Sequence, residues 1–95
     1  MIKHIVFFKL EDNTSDKREV LKAKLLAMKG KIDILKHIEV GIDINGSERA
    51  YDVALITDFQ SIEDLKSYAS NPLHVEVLKY LKSENILTKV VDYKY

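Results

Sequence analysis

The segment Ile2–Leu10 constrains this chain more than any other. Read as an extended strand, it places Ile2, His4, Val6, Phe8 and Leu10 on one side. Ile5 and Phe7 lie on the other, between Lys3 and Lys9. A strand that is apolar on both sides must be covered on both sides. One cover must come from helices of the same chain, and the second from something else.

The remaining segments supply those helices. Glu11-Asp12-Asn13-Thr14-Ser15 is a polar turn, and either Asp16 with Glu19 or Ser15 alone can open a helix. Leu21, Leu25, Met28 and Ile32 then repeat at spacings of four, three and four, one face of a 3.6-residue period. Gly30 is a natural stop. Ile34 to Ile44 alternates as a second strand, with Ile34, Ile38, Val40, Ile42 and Ile44 on one side. Asn45-Gly46-Ser47 is a turn. Tyr51 to Phe59 is a third strand, with Val53, Leu55 and Phe59 opposite Ala54 and Ile56.

Ser61 and Asp64 form a capping box ahead of a short helix that carries Ile62, Leu65, Tyr68 and Ala69. Asn71-Pro72 restarts the helix, with asparagine as cap and proline at the first helical position, where its missing N–H costs nothing. His74, Val77, Leu78 and Leu81 follow on one stripe. Asn85 to Tyr95 is a fourth strand, with Ile86 and Val90 on one side and Leu87, Val91, Tyr93 and Tyr95 on the other. The order βαββαβ predicts one α+β domain over residues 1–95, a ferredoxin-like fold whose four-stranded antiparallel sheet carries its helices on one face.

In such a fold Ile5, Phe7, Ala54 and Ile56 point away from the helices. A contiguous apolar patch of this kind marks an association surface. A second copy across a two-fold axis is the expected partner, giving a homodimer through the sheet faces and a closed, barrel-like core.

Composition narrows the function. Lysine plus arginine and aspartate plus glutamate both number 15, a balance that argues against a dedicated nucleic-acid binder. No cysteine is present, which excludes disulfides, thiolate nucleophiles and zinc–cysteine sites. No apolar run reaches the roughly 20 residues that span a bilayer, and the opening segment lacks the features of a signal peptide. The expectation is a cytoplasmic protein without a membrane partner, a cofactor or a metal.

The polar residues on apolar faces are the candidate site. His4 shares its side with Val6 and Phe8, and His74 has the phase of Leu78. Tyr68 follows Leu65 by three and leans the same way. These six residues, His4, Val6, Phe8, Tyr68, His74 and Leu78, are expected to line one pocket between helices and sheet. A buried, neutral imidazole can accept a proton, and a phenol can donate a hydrogen bond to a developing oxyanion. His74 and Tyr68 are therefore the candidate catalytic pair. The plainer reading of all three is core residues with satisfied hydrogen bonds. His37 and Glu39, two apart on one strand face, could hold a metal, but a solvated or dimer-facing charged edge explains them better. Asn13-Thr14-Ser15 and Asn45-Gly46-Ser47 match a glycosylation pattern and are read as turns.

Four segments together carry a family resemblance: Lys3-His4-Ile5-Val6, Tyr51-Asp52-Val53-Ala54-Leu55, Asn71-Pro72-Leu73-His74-Val75 and Val90-Val91-Asp92-Tyr93. In order and spacing the chain resembles the stress-responsive A/B-barrel, or dimeric α/β-barrel (Dabb), domains. That resemblance implies a ferredoxin-like protomer dimerised through its sheets. One plant branch, represented by olivetolic acid cyclase, closes a linear polyketide by aldol condensation without a metal. It uses a His-Pro-x-His turn and a tyrosine six residues before the second histidine. By resemblance those two residues correspond to His74 and Tyr68, and the cleft-lining strand histidine to His4. Asn71 replaces the first histidine of the turn. Three functions follow as expectations: a dimer that binds a small apolar or aromatic molecule, a polyketide cyclase or lyase using a His/Tyr acid–base pair, or a structural, stress-associated dimer with no ligand.

Overall fold

The computed structural model describes residues 1–95. In chain order the elements are β1 (Ile2–Lys9), α1 (Ser15–Leu26), β2 (His37–Ile42), β3 (Val53–Phe59), α2 (Ile62–Ala69), α3 (Pro72–Ser83) and β4 (Leu87–Lys94). The strands form one antiparallel sheet in the order β2-β3-β1-β4. This is the expected ferredoxin-like α+β arrangement, with the second helix broken into α2 and α3.

Local chemistry sets the helix boundaries. Ser61 Oγ accepts from the Asp64 N–H at 3.1 Å and opens α2. Asn71 Oδ1 accepts from the Leu73 N–H at 2.9 Å and opens α3, with Pro72 at its first position. The first helix corrects the sequence reading. Its cap is Thr14, whose Oγ1 accepts from the Lys17 N–H at 3.1 Å, because Ser15 is already helical. Met28 and Ile32 are buried as their spacing implies, but they lie beyond the end of α1, in a turn containing Gly30 at φ +74°.

β2 is shorter than its alternation suggested. Ile34 packs against the core from a turn before the strand, and Ile44 after it is fully exposed. Pairing stops where the Asp43 carboxylate accepts from the Gly46 N–H at 2.7 Å and bends the chain away. A second carboxylate, Asp52, is buried at the opposite side of this loop. Its Oδ2 accepts from the Leu10 N–H at 2.7 Å and its Oδ1 from Asn13 Nδ2 at 2.9 Å, which ties the end of β1 to the start of β3.

Register fixes which side chains share a face. On the helix side, Thr57, His4 and Asp92 form one row across β3, β1 and β4; Leu55, Val6 and Val90 form the next; Val53, Phe8 and Thr88 the third. The core lies between these rows and the helices, with Phe8, Phe59, Leu21, Leu25 and Tyr68 almost wholly removed from water. Burying each such side chain is worth about 1.5–3 kcal/mol. On the outer side, Ile5 sits between Ile56 and Val91, and Phe7 beside Ala54. Phe7, Val91 and Tyr93 are each about half exposed there. The helices do not cover the sheet evenly. α1 packs on β2 and β3, α2 on β1 and β3, and every residue of β4 remains exposed.

Candidate functional site

The uncovered inner face of β4 is the floor of a cleft of about 420 Å³. Val6, Phe8, Leu55 and Val90 pave it from the sheet, and Leu65, Val77, Leu78 and Leu81 wall it from α2 and α3. All six residues expected at a pocket from the sequence, His4, Val6, Phe8, Tyr68, His74 and Leu78, line this one space. The Tyr68 ring neighbours both imidazoles, 4.4 Å from the centroid of His74 and 6.4 Å from that of His4.

His74 owes its position to the break between α2 and α3. The Asn71 cap and Pro72 start a new helix, which places His74 over the end of the preceding one. There its Nδ1–H donates to the Ala69 carbonyl at 3.1 Å, one of the carbonyls that the end of α2 leaves without a helical partner. A carbonyl can only accept, so Nδ1 carries the hydrogen and Nε2 keeps its lone pair. Burial holds the His74 pKa below the ordinary histidine value; the Ala69 carbonyl opposes that shift and the neighbouring His4 adds to it. His74 is thus a neutral imidazole with one nitrogen anchored and the other available.

His4 is held differently. Its Nδ1 faces the Asp92 carboxylate, its cross-strand partner on β4, and hydrogen-bonds to it. A carboxylate on one imidazole nitrogen fixes the ring's orientation and its tautomer. Asp92 is the site residue that sequence reasoning missed. Its parity with Val90 was a usable signal, but its pairing with His4 depends on β1 and β4 being neighbours.

The hydroxyl of Tyr68 departs from the expected geometry. It donates to Met28 Sδ at 3.7 Å, on the core side, and the residue is 1% exposed. Only its ring faces the cleft, so in this structure the phenol is a wall and not an oxyanion donor. Burial pushes its pKa up to about 12, so it stays protonated. His37 and Glu39 lie far from this site on the outer sheet face. His37 Nε2 and Glu39 Oε1 are 3.9 Å apart, both side chains are exposed, and no third metal-ligating side chain joins them.

Comparison with known proteins bears on the whole chain. The family model described as the stress responsive A/B barrel domain matches residues 2–95. A dimeric protein of ferredoxin-like fold from Bacteroides fragilis is 34% identical, with a TM-score of 0.83 over 99% of this chain and 95% of that one. A dimeric ferredoxin-like protein from Thermobifida fusca is 25% identical, with a TM-score of 0.85 over 99% of this chain and 90% of that one. The hydroxynitrile lyase of Passiflora edulis, at 20% identity and a TM-score of 0.77 over 98% and 93% of the two chains, shares the fold. No curated protein matches this chain. No helix is long and apolar enough to cross a membrane.

Proposed function

We propose that this chain, which belongs to the stress-responsive A/B barrel domain family, binds a small apolar or aromatic molecule in the cleft over β4. The observation that carries this reading is the strand left bare. An apolar space of about 420 Å³ falls within the size range of small-molecule sites, and two imidazoles and a carboxylate open onto it. A purely structural core would fill that volume. Thermal unfolding with a panel of aromatic acids and ketones tests the reading. A ligand raises the melting temperature of the wild type by mass action, and Leu78→Trp, which occupies the cleft, abolishes the shift. A flat response from the wild type to the whole panel overturns it.

A second reading is favoured by the anchoring of His74. A neutral imidazole with Nε2 free is a general base, and it would take a proton from the carbon beside a bound carbonyl. The developing oxygen charge would face the His4 ring, which the Asp92 carboxylate holds in place through Nδ1. This assignment replaces Tyr68 as the oxyanion donor. The reaction class is carbanion formation next to a carbonyl, as in a polyketide cyclase or a lyase. His74→Ala should abolish turnover of a β-polyketone while leaving the fold intact; unchanged turnover removes His74 from the mechanism.

The outer face supports a homodimer. Ile5, Phe7, Ile56 and Val91 form a contiguous apolar surface that a second copy would cover, and the Bacteroides and Thermobifida relatives are described as dimeric. Sedimentation at micromolar concentration should give the mass of two chains. A monomer mass overturns this part of the proposal.

A further inference from the structure

The cleft-facing stripe of α2 breaks its own pattern. Ile62, Leu65, Lys66 and Ala69 line the cleft at the spacing of one helix face. Three of the four are apolar, and Lys66 stands where a fourth would be expected. The charged groups around the cleft are otherwise engaged. Asp92 is held by His4, whereas Lys66 makes no ion pair and no side-chain hydrogen bond. Glu63, one turn earlier on the same helix, lies outside ion-pair range. A lysine so placed runs its methylenes along the apolar wall and keeps its ammonium at the wet rim.

We propose that Lys66 makes the cleft selective for anionic members of its ligand class: aromatic or aliphatic molecules that carry a carboxylate. The inference rests on the cleft being a ligand site and names the chemistry of that ligand. The apolar body enters between Leu55, Val90 and Leu78, where two imidazoles can meet a carbonyl or hydroxyl. The carboxylate stays at the rim on Lys66. The last turn of a helix favours a cation whether or not a ligand exists, so stability measurements cannot test this role. Ligand discrimination can.

The experiment uses a matched pair of probes, 4-(1-naphthyl)butanoate and its primary amide, equal in shape and different in charge. Calorimetric titration of the wild type at low salt should show the acid binding about three- to fivefold more tightly than the amide, the range of a single partly exposed ion pair. Lys66→Gln should erase that preference by weakening the acid alone, with the amide unchanged. Lys66→Arg should keep it. Salt at about 0.5 M should shrink it in the wild type. Equal affinity of acid and amide in the wild type, or an undiminished preference in Lys66→Gln, overturns the role of Lys66 while leaving the cleft a binding site. Failure of both probes to bind, together with a flat response to the wider ligand panel, overturns the binding reading itself.

Discussion

Tyr68→Phe separates two jobs that one phenol can do. In the structure its hydroxyl donates to the Met28 sulfur at 3.7 Å, and the side chain is sealed from water. A net intramolecular hydrogen bond is worth about 0.5–1.5 kcal/mol, and thioether sulfur is a weak acceptor, so the low end applies. Removing the hydroxyl also removes the cost of burying it, and Met28 left without a donor loses little. The expected change in unfolding free energy is therefore below about 1 kcal/mol, a shift of a few degrees in melting temperature for a domain of this size. Tyr68→Ala is the contrast. It deletes a ring that touches Phe59 and both imidazoles, and should cost about 3–5 kcal/mol. Urea unfolding at fixed protein concentration measures both, since association also contributes to stability. The cleft should be indifferent to the phenylalanine: ligand affinity should change by less than about threefold, and so should any turnover. A tenfold or greater loss with the unfolding midpoint unchanged would refute the reasoning. It would show that the hydroxyl leaves Met28 and bonds something in the cleft, since a hydrogen bond to a charged oxygen is worth about 1.5–3 kcal/mol.

Three other outcomes are expected. Burial lowers the His74 pKa below 6.5, so the unfolded chain takes up this proton first; stability should fall as pH drops from about 6.5 through the folded value and then level off, and His74→Gln should remove that component from denaturant titrations across pH. Asn71→Ala removes the cap that starts α3 and should cost about 1 kcal/mol in urea unfolding; because α3 carries His74, the Ala69 bond and the cleft should loosen, with ligand affinity falling in parallel. Phe7→Asp places a charge on the outer face, roughly half exposed in the single chain, and should halve the sedimenting mass at micromolar concentration with circular dichroism unchanged.

The convergence of His4, Tyr68 and His74 was legible because it follows from two local periods. A strand alternates every second residue and a helix turns every 3.6, so each side chain's direction could be read against its apolar neighbours. The Ser61 and Asn71 caps were equally local. Three features were not. Asp92 becomes the partner of His4 only when β4 is laid beside β1, and strand order has no signature within either strand. The helical phase of Tyr68 tells which way its ring leaves the helix, but not that its tip reaches past the cleft to Met28. Alternation also overran the ends of β2, since Ile34 packs on the core from a turn and Ile44 faces water. The bare floor of the cleft depends on where three helices come to rest on four strands, which no single segment encodes.

The strand order β2-β3-β1-β4 sets β1 against β4, segments that lie at opposite ends of the sequence, and residues 88 apart in sequence meet in the His4–Asp92 contact. A nascent chain emerging in order could assemble β1, α1, β2 and β3 early, but would hold His4 without its carboxylate until Leu87–Lys94 is synthesised. Until then the β4-facing edge of β1 stays open to wrong pairings, and closing so wide a loop is slow because its entropy is spent before its contacts form. The cleft is therefore completed last: shorter intermediates lack Thr88, Val90 and Asp92, the β4 residues that form its floor.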